Sequence, residues 1–185
     1  MKSLMGNWQR LDTKVVYQNP YIKVHEDNVI TPDGKPTAYG WVETPPGLYV
    51  VALEAAGKVV LVKQLRYTTG QPSWELPGGN SDGEDVIEAG KKELEEEAGL
   101  HADKWVKLSG ETYVWGGVAT ERDIVLIATH LHKAKRPKTE ADDVVDAVRS
   151  FTWTELKEMI KSGELQDGQT ITALVRAGLH LGHIK

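Results

Sequence analysis

A chain of 185 residues, 40% hydrophobic and 26% charged, can bury a substantial core in one domain with room for a small appendage. Its net charge of -5 gives no broad basic footprint for nucleic acid or an anionic membrane surface, so an anionic ligand needs a local counter-charge. The chain has no cysteine, which excludes disulfides, thiolate nucleophiles and zinc–sulfur sites and leaves oxygen and imidazole as metal donors.

No stretch is long and apolar enough to span a bilayer, and the opening MKSLMGNWQR lacks the apolar core of a secretory signal. A cytoplasmic protein with neither a membrane nor a nucleic-acid partner is expected. Residues 14–43 carry short β-branched and aromatic runs broken at Asn19-Pro20 and Asp33-Gly34, which predicts a small antiparallel β unit. A change of composition at Pro45 sets the expected boundary, with an N-terminal β subdomain over 1–45 and the main domain over 46–185. LYVVALEAAGKVVLVKQLRY then predicts a hairpin turning at Ala56-Gly57. A proline- and glycine-rich loop is expected over 68–83. A helix should follow from about Glu84 to Ala98, capped by Ser81 or Asp82 and closed by Gly99. Strand-like runs at 104–114, 122–133 and 147–153 come next, with a charged loop over 132–143. Two helices complete the chain, one in TWTELKEMIKSGEL capped by Thr154 and one over 168–180. The class is α/β.

The helix 84–98 contains GKKELEEEAGL, in which Glu93, Glu95, Glu96 and Glu97 crowd like charge. Two carboxylates at about 4 Å repel by about 1 kcal/mol in water and about 4 kcal/mol near an effective dielectric of 20, so a sheltered cluster needs a cation. At i, i+3 and i+4, Glu93, Glu96 and Glu97 share one face while Glu95 points away. Ile87, Leu94 and Ala98 form a neighbouring stripe that can pack inward and fix the acidic face in place. Oxygen ligands on a rigid helix suit Mg²⁺ or Mn²⁺, which bind through carboxylates together with substrate phosphates. A solvated acidic face with good helix propensity is the plainer reading of such a run.

Context separates the two. Gly78 is followed after five residues by Glu84, after seven more by Lys92-Glu93-Leu94, then by Glu96-Glu97 and Gly99-Leu100. This spacing resembles the Nudix box, Gx5Ex7REUxEExGU with U aliphatic, and six matches at fixed spacing arise by chance at about 10⁻⁵ over such a chain. Lys92 replaces the arginine of the motif, keeping its charge without the planar fork. The lead-in SWELPGG also resembles the family's, although aligning the paired glycines makes Gly79 the motif glycine and shortens the loop by one residue. Gly90 costs about 1 kcal/mol of helix propensity, for which close packing is one explanation.

The resemblance implies a Nudix-type α/β/α sandwich around a mixed sheet, with an N-terminal antiparallel β subdomain that makes a homodimer. It implies a pyrophosphatase that hydrolyses nucleoside diphosphate sugars, ADP-ribose included, to a nucleoside monophosphate and a sugar phosphate. Mg²⁺, or Mn²⁺, would be held by Glu93, Glu96, Glu97 and the carbonyl of Gly78, with Pro77 the other possible carbonyl. Glu93 and Lys92 belong to the catalytic motif, and Glu84 is a weaker ligand candidate. The base is expected downstream at Glu140, in competition with Asp142 and Asp143. KQLRY is similar to a glutamine-x-arginine feature of the ADP-ribose and nucleotide-sugar branch, which assigns Arg66 to a phosphate, and Trp41 and Trp74 are the candidates for stacking on the base. ADP-ribose-specific members tend to carry proline where this chain has Gly116, which favours a broader nucleotide-sugar enzyme. The rival readings are an enzyme of nucleoside triphosphates or dinucleoside polyphosphates, and a catalytically silent nucleotide-binding module.

Overall fold

The computed structural model describes residues 3–81, 83–134 and 145–185, with backbone only for 3–5. Its strands begin with β1 (Ser3–Met5), β2 (Trp8–Gln18), β3 (Lys23–Ile30) and β4 (Pro36–Glu43). They continue with β5 (Gly47–Leu53), β6 (Val59–Arg66), β7 (Gln71–Glu75) and β8 (Gly78–Asn80) before helix α1 (Val86–Ala98). Then come β9 (Leu100–Lys107), β10 (Thr112–Tyr113), β11 (Arg122–Lys133), β12 (Val145–Phe151), α2 (Trp153–Ser162) and α3 (Gly168–Leu181). The contacts define two units, Met1–Pro46 with Tyr113–Arg122, and Gly47–Thr112 with Asp123–Lys185.

In the first unit, β1 to β4 form a four-stranded antiparallel sheet in chain order. Segment 113–122 joins it through backbone bonds from Val42 N–H to the Val118 carbonyl (2.8 Å) and from Thr120 N–H to the Val42 carbonyl (2.9 Å).

The second unit is built on the path β11-β5-β6-β12 of a mixed sheet, with β5 and β11 parallel and β6 and β12 antiparallel. Because successive strand side chains point to opposite faces, the unbroken apolar runs of β5 and β11 divide between two cores. Leu48, Val50, Ala52, Ile124, Leu126 and Ala128 pack with Ala89 and Leu94 of α1. Val51, Leu53, Val125 and Ile127 pack on the other side with Trp153, Leu156 and Met159 of α2 and Ala173, Leu174 and Ala177 of α3. This is an α/β/α sandwich around a mixed sheet. Leu94 is fully buried, worth about 1.5–3 kcal/mol as a side chain removed from water.

Several boundaries differ from the sequence reading. The segment expected as a loop over 68–83 contains β7 and β8, which pair with β6 and β5. Pro72 is tolerated there because β7, among the described residues, is paired along β6 alone. Helix α1 begins at Val86 because the Asp85 carboxylate accepts from the N–H groups of Ile87 and Glu88, the role expected of Ser81 or Asp82. Thr152 caps α2 where Thr154 was expected, in a reciprocal capping box with Glu155. At the end of α1, Gly99 takes the left-handed conformation (φ 65°) that a side chain would resist.

Candidate active site

The acidic helix is fixed against the strand that precedes it. Gly78 N–H donates to Glu97 Oε2 at 2.9 Å, and the Gln64 side-chain amide donates to Glu97 Oε1 at 3.4 Å. Glu97 is only 6% exposed, so these bonds hold a sheltered carboxylate in one orientation. Glu93 lies over the next residue of β8, where a Cβ on Gly79 would stand 2.3 Å from Glu93 Oε1. A Cβ on Gly78 would stand 2.3 Å from the Leu48 carbonyl oxygen. The paired glycines therefore let β8 lie close to β5 on one side and to the carboxylates of α1 on the other. Gly90 serves packing, since a Cβ there would meet Leu126 Cδ1 at 2.4 Å.

Glu93 and Glu96 are half-buried, and Glu95 turns toward His101 (3.8 Å). Among the described residues no three acidic or histidine side chains gather closely enough to hold an ion by themselves. The donors on this face, the carboxylates of Glu93, Glu96 and Glu97, are all oxygens. That set fits a hard divalent cation of the Mg²⁺ kind, which takes one or two carboxylates and completes its shell with water and phosphate. The Pro77 carbonyl, the alternative ligand, accepts from Val50 N–H at 2.8 Å.

Lys92 Nζ lies 3.3 Å from both oxygens of Glu84, so these two motif residues form an exposed ion pair across the start of the helix. Arg66, at the end of β6, is gripped by Glu75. Its Nε donates to both Glu75 oxygens at 3.0 Å and its Nη2 donates to Oε2. Glu75 is 2% exposed, whereas the Arg66 side chain remains half exposed. The bonds from Glu75 hold the guanidinium above its ordinary pKa, with the nearby charge of Glu97 adding to the effect. Trp74 packs edge-on to Phe151 (5.1 Å, 77°) with Lys63 Nζ over its ring at 5.7 Å, so this indole is engaged at the margin of the core.

Trp41 belongs to the other unit. It stacks flat on His25 at 4.0 Å and 5°, and His25 Nε2 lies 2.9 Å from Glu43. Lys23 first, then His25, holds the Glu43 carboxyl below its ordinary range. Glu140, Asp142 and Asp143 lie outside the described residues.

The sequence reading missed Gln64 and Glu75 as partners of site residues. Each leaves one signal, a polar residue closing an otherwise apolar strand run or lead-in, and a polar group buried there must find a partner.

A mixed sheet between one acidic helix and a pair of further helices, with a glycine strand under the acidic carboxylates, defines the Nudix hydrolase class. Residues 43–174 match the NUDIX domain and residues 8–42 match the nucleoside diphosphate sugar hydrolase N-terminal domain. The chain belongs to the Nudix family. It is 28% identical over 160 residues to an ADP-ribose pyrophosphatase of Bacillus subtilis, covering 86% of each chain. It is 32% identical over 133 residues to a GDP-mannose pyrophosphatase of Yersinia enterocolitica, covering 67% of this chain and 68% of that one. Its fold is similar to a crystal structure of an ADP compounds hydrolase, with a TM-score of 0.82 at 16% identity over 98% of this chain and 97% of that one. No described helix is long and apolar enough to cross a membrane.

Proposed function

We propose that this protein hydrolyses the pyrophosphate of nucleoside diphosphate sugars, ADP-ribose among them, to a nucleoside monophosphate and a sugar phosphate. The observation that carries the reading is the seating of Glu97 on Gly78 N–H, because it turns a helix rich in like charge into a fixed oxygen-donor surface. The N-terminal domain match and the ADP-ribose and GDP-mannose pyrophosphatases among the relatives support the substrate class.

Glu93, Glu96 and Glu97, with the Gly78 carbonyl, would hold the divalent cation, Mg²⁺ or Mn²⁺ in its place. When bound, such an ion offsets the pyrophosphate charge and makes bound water more acidic. Gln64 keeps Glu97 oriented, and Lys92 steadies the first turns of the helix through Glu84. Arg66, held rigid by Glu75, presents its exposed edge to a phosphate oxygen. A water oxygen bonds to one phosphorus as the bridging P–O bond breaks, and the water's proton passes to a carboxylate base. Glu140 is that base, with Asp142 and Asp143 as its competitors. Trp41 stacks on the nucleobase and Trp74 is the second aromatic candidate. The N-terminal β subdomain joins two subunits as a homodimer.

The test is incubation with Mg²⁺ or Mn²⁺ and a panel of ADP-ribose, nucleotide sugars, dinucleoside polyphosphates and nucleoside triphosphates, with Glu97→Gln as control and products resolved. Cleavage of the first two groups, lost in the control, is expected. Cleavage confined to the last two would move the enzyme to another Nudix branch, and binding without any cleavage would make it a silent module.

A further inference from the structure

His101 and His132 stand directly opposite each other on the antiparallel strands β9 and β11, where a cross-strand pair shares one face of the sheet. Their ring centres are 5.6 Å apart, with the planes tilted by 41°. Two imidazoles that bind one ion at about 2.1 Å per nitrogen, with a tetrahedral angle between them, place their ring centres about 5 to 5.5 Å apart. The register of the sheet therefore supplies the spacing, and rotation of the rings about their side-chain bonds is the adjustment left to make.

Each ring has one nitrogen already engaged. His132 Nδ1 lies 3.4 Å from the His130 carbonyl oxygen and 3.7 Å from Asp103 Oδ1. A carbonyl only accepts, so Nδ1 carries the proton and Nε2 keeps its lone pair. His101 Nε2 lies 3.8 Å from Glu95 Oε1 in the last turn of α1, which favours the proton on Nε2 and the lone pair on Nδ1. Histidines that bind metal ordinarily give their second N–H to a carboxylate or a carbonyl in this way. The side chains of His101 and His132 are 39% and 52% exposed, so an ion and its waters can reach them. His130 supports the arrangement from the backbone. It has a positive φ of 60°, the one non-glycine to do so among the described residues, and such uncommon conformations gather at functional sites.

We propose that His101 and His132 form a site for a divalent ion of the Zn²⁺ class, with water completing its shell and Asp103 and Glu95 as outer partners. Two nitrogens are its whole protein donor set, since among the described residues no three histidine or acidic side chains gather closely enough to share an ion. Imidazole suits Zn²⁺, Ni²⁺ and Cu²⁺, whereas carboxylates and water suit Mg²⁺, so this site is chemically separate from the oxygen-donor face of α1. An ion there clips the strand that leaves α1 to the end of β11, where Ala134 N–H already donates to the Gly99 carbonyl at 2.9 Å. The inference goes beyond the hydrolase reading and does not depend on it.

Calorimetric titration of the intact protein with Zn²⁺, in excess Mg²⁺ and without nucleotide, tests it apart from catalysis. A saturable site is expected, lost in His101→Gln and in His132→Gln and kept in His180→Gln. Substoichiometric Cu²⁺, whose unpaired electron broadens nearby signals, should broaden the imidazole resonances of His101 and His132 in the unaltered protein before those of the other histidines. That readout stands if a variant does not fold. No saturable Zn²⁺ binding, binding kept by either of the two histidine variants or lost in His180→Gln, or broadening that begins at other histidines would each overturn the proposal. Nucleotide-sugar hydrolysis with no Zn²⁺ bound at these histidines would sink this inference alone. Zn²⁺ bound there with no hydrolysis would sink the hydrolase reading and leave the site.

Discussion

Gly78 N–H and the Gln64 amide approach the two oxygens of Glu97 separately, at 2.9 and 3.4 Å, so this buried carboxylate is oriented by the backbone of β8 and by a side chain of β6. Gln64→Leu keeps the volume and removes only the side-chain donor. The Mg²⁺ concentration for half-maximal hydrolysis should rise roughly tenfold, as expected when an outer partner of a metal ligand is lost. An unchanged Mg²⁺ titration would show that Gln64 is not needed to orient Glu97.

Two glycines should respond differently to the same added methyl group. Gly90→Ala gains about 1 kcal/mol of helix propensity but drives a Cβ to 2.4 Å from Leu126 Cδ1, and overpacking costs about 1–3 kcal/mol. The variant should melt at or below the temperature of the parent. Gly79→Ala instead pushes on the Glu93 carboxylate at 2.3 Å, and displacing a reacting group by about 1 Å costs roughly 10²-fold in rate. Paired measurements of melting temperature and kcat separate the two; a stable, fully active Gly79→Ala would contradict the role given to the glycine strand.

Lys92→Arg tests the departure from the motif. The Lys92–Glu84 pair is exposed, so stability should change by less than about 0.5 kcal/mol. A planar fork can engage both Glu84 oxygens, and kcat should rise or hold, whereas Lys92→Met should lower it. A fall in kcat with arginine would mean that the surroundings of Lys92 are adapted to an ammonium.

The Glu155 carboxyl lies below its ordinary value of 4.5, chiefly because Thr152 N–H donates to it and then because the Thr152 hydroxyl does. A depressed folded value contributes stability above the unfolded value, and that contribution disappears as pH falls through the folded one. Glu155→Gln should therefore lower the melting temperature near neutrality. The gap should persist down to about pH 5 and close at more acidic pH. A gap that stays constant to pH 3 would exclude the carboxylate as its source.

Spacing revealed the acidic helix, and the Gly78-to-Leu100 pattern revealed the family, because both are local in sequence. The apolar runs of β5 and β11 were legible as strands, and the mixed sheet that joins them came only with the resemblance to the family. What sequence did not disclose depends on partners distant along the chain. Nothing near Pro72 or Gly79 says that β7 and β8 will find β6 and β5. Helical spacing put Glu97 on one face with Glu93 and Glu96, but burial was decided by Gly78 and Gln64.

Arg66 gives the last test, because its bonds to Glu75 can be read in two ways. If Glu75 only neutralises a surface arginine, Glu75→Gln should affect stability and leave kinetics alone. If it aims Arg66 at a phosphate, the same change should also raise KM by roughly tenfold, the worth of one charge-assisted contact. A guanidinium is charged throughout the working range with or without Glu75, so the effect should not vary between about pH 6 and 9. Some destabilisation accompanies either case because Glu75 is buried, and the half exposure of Arg66 keeps it below the about 3–5 kcal/mol of a fully buried pair. The KM change is therefore the deciding readout: its absence in a folded variant would remove Arg66 from the substrate site and leave it as the partner of a buried glutamate.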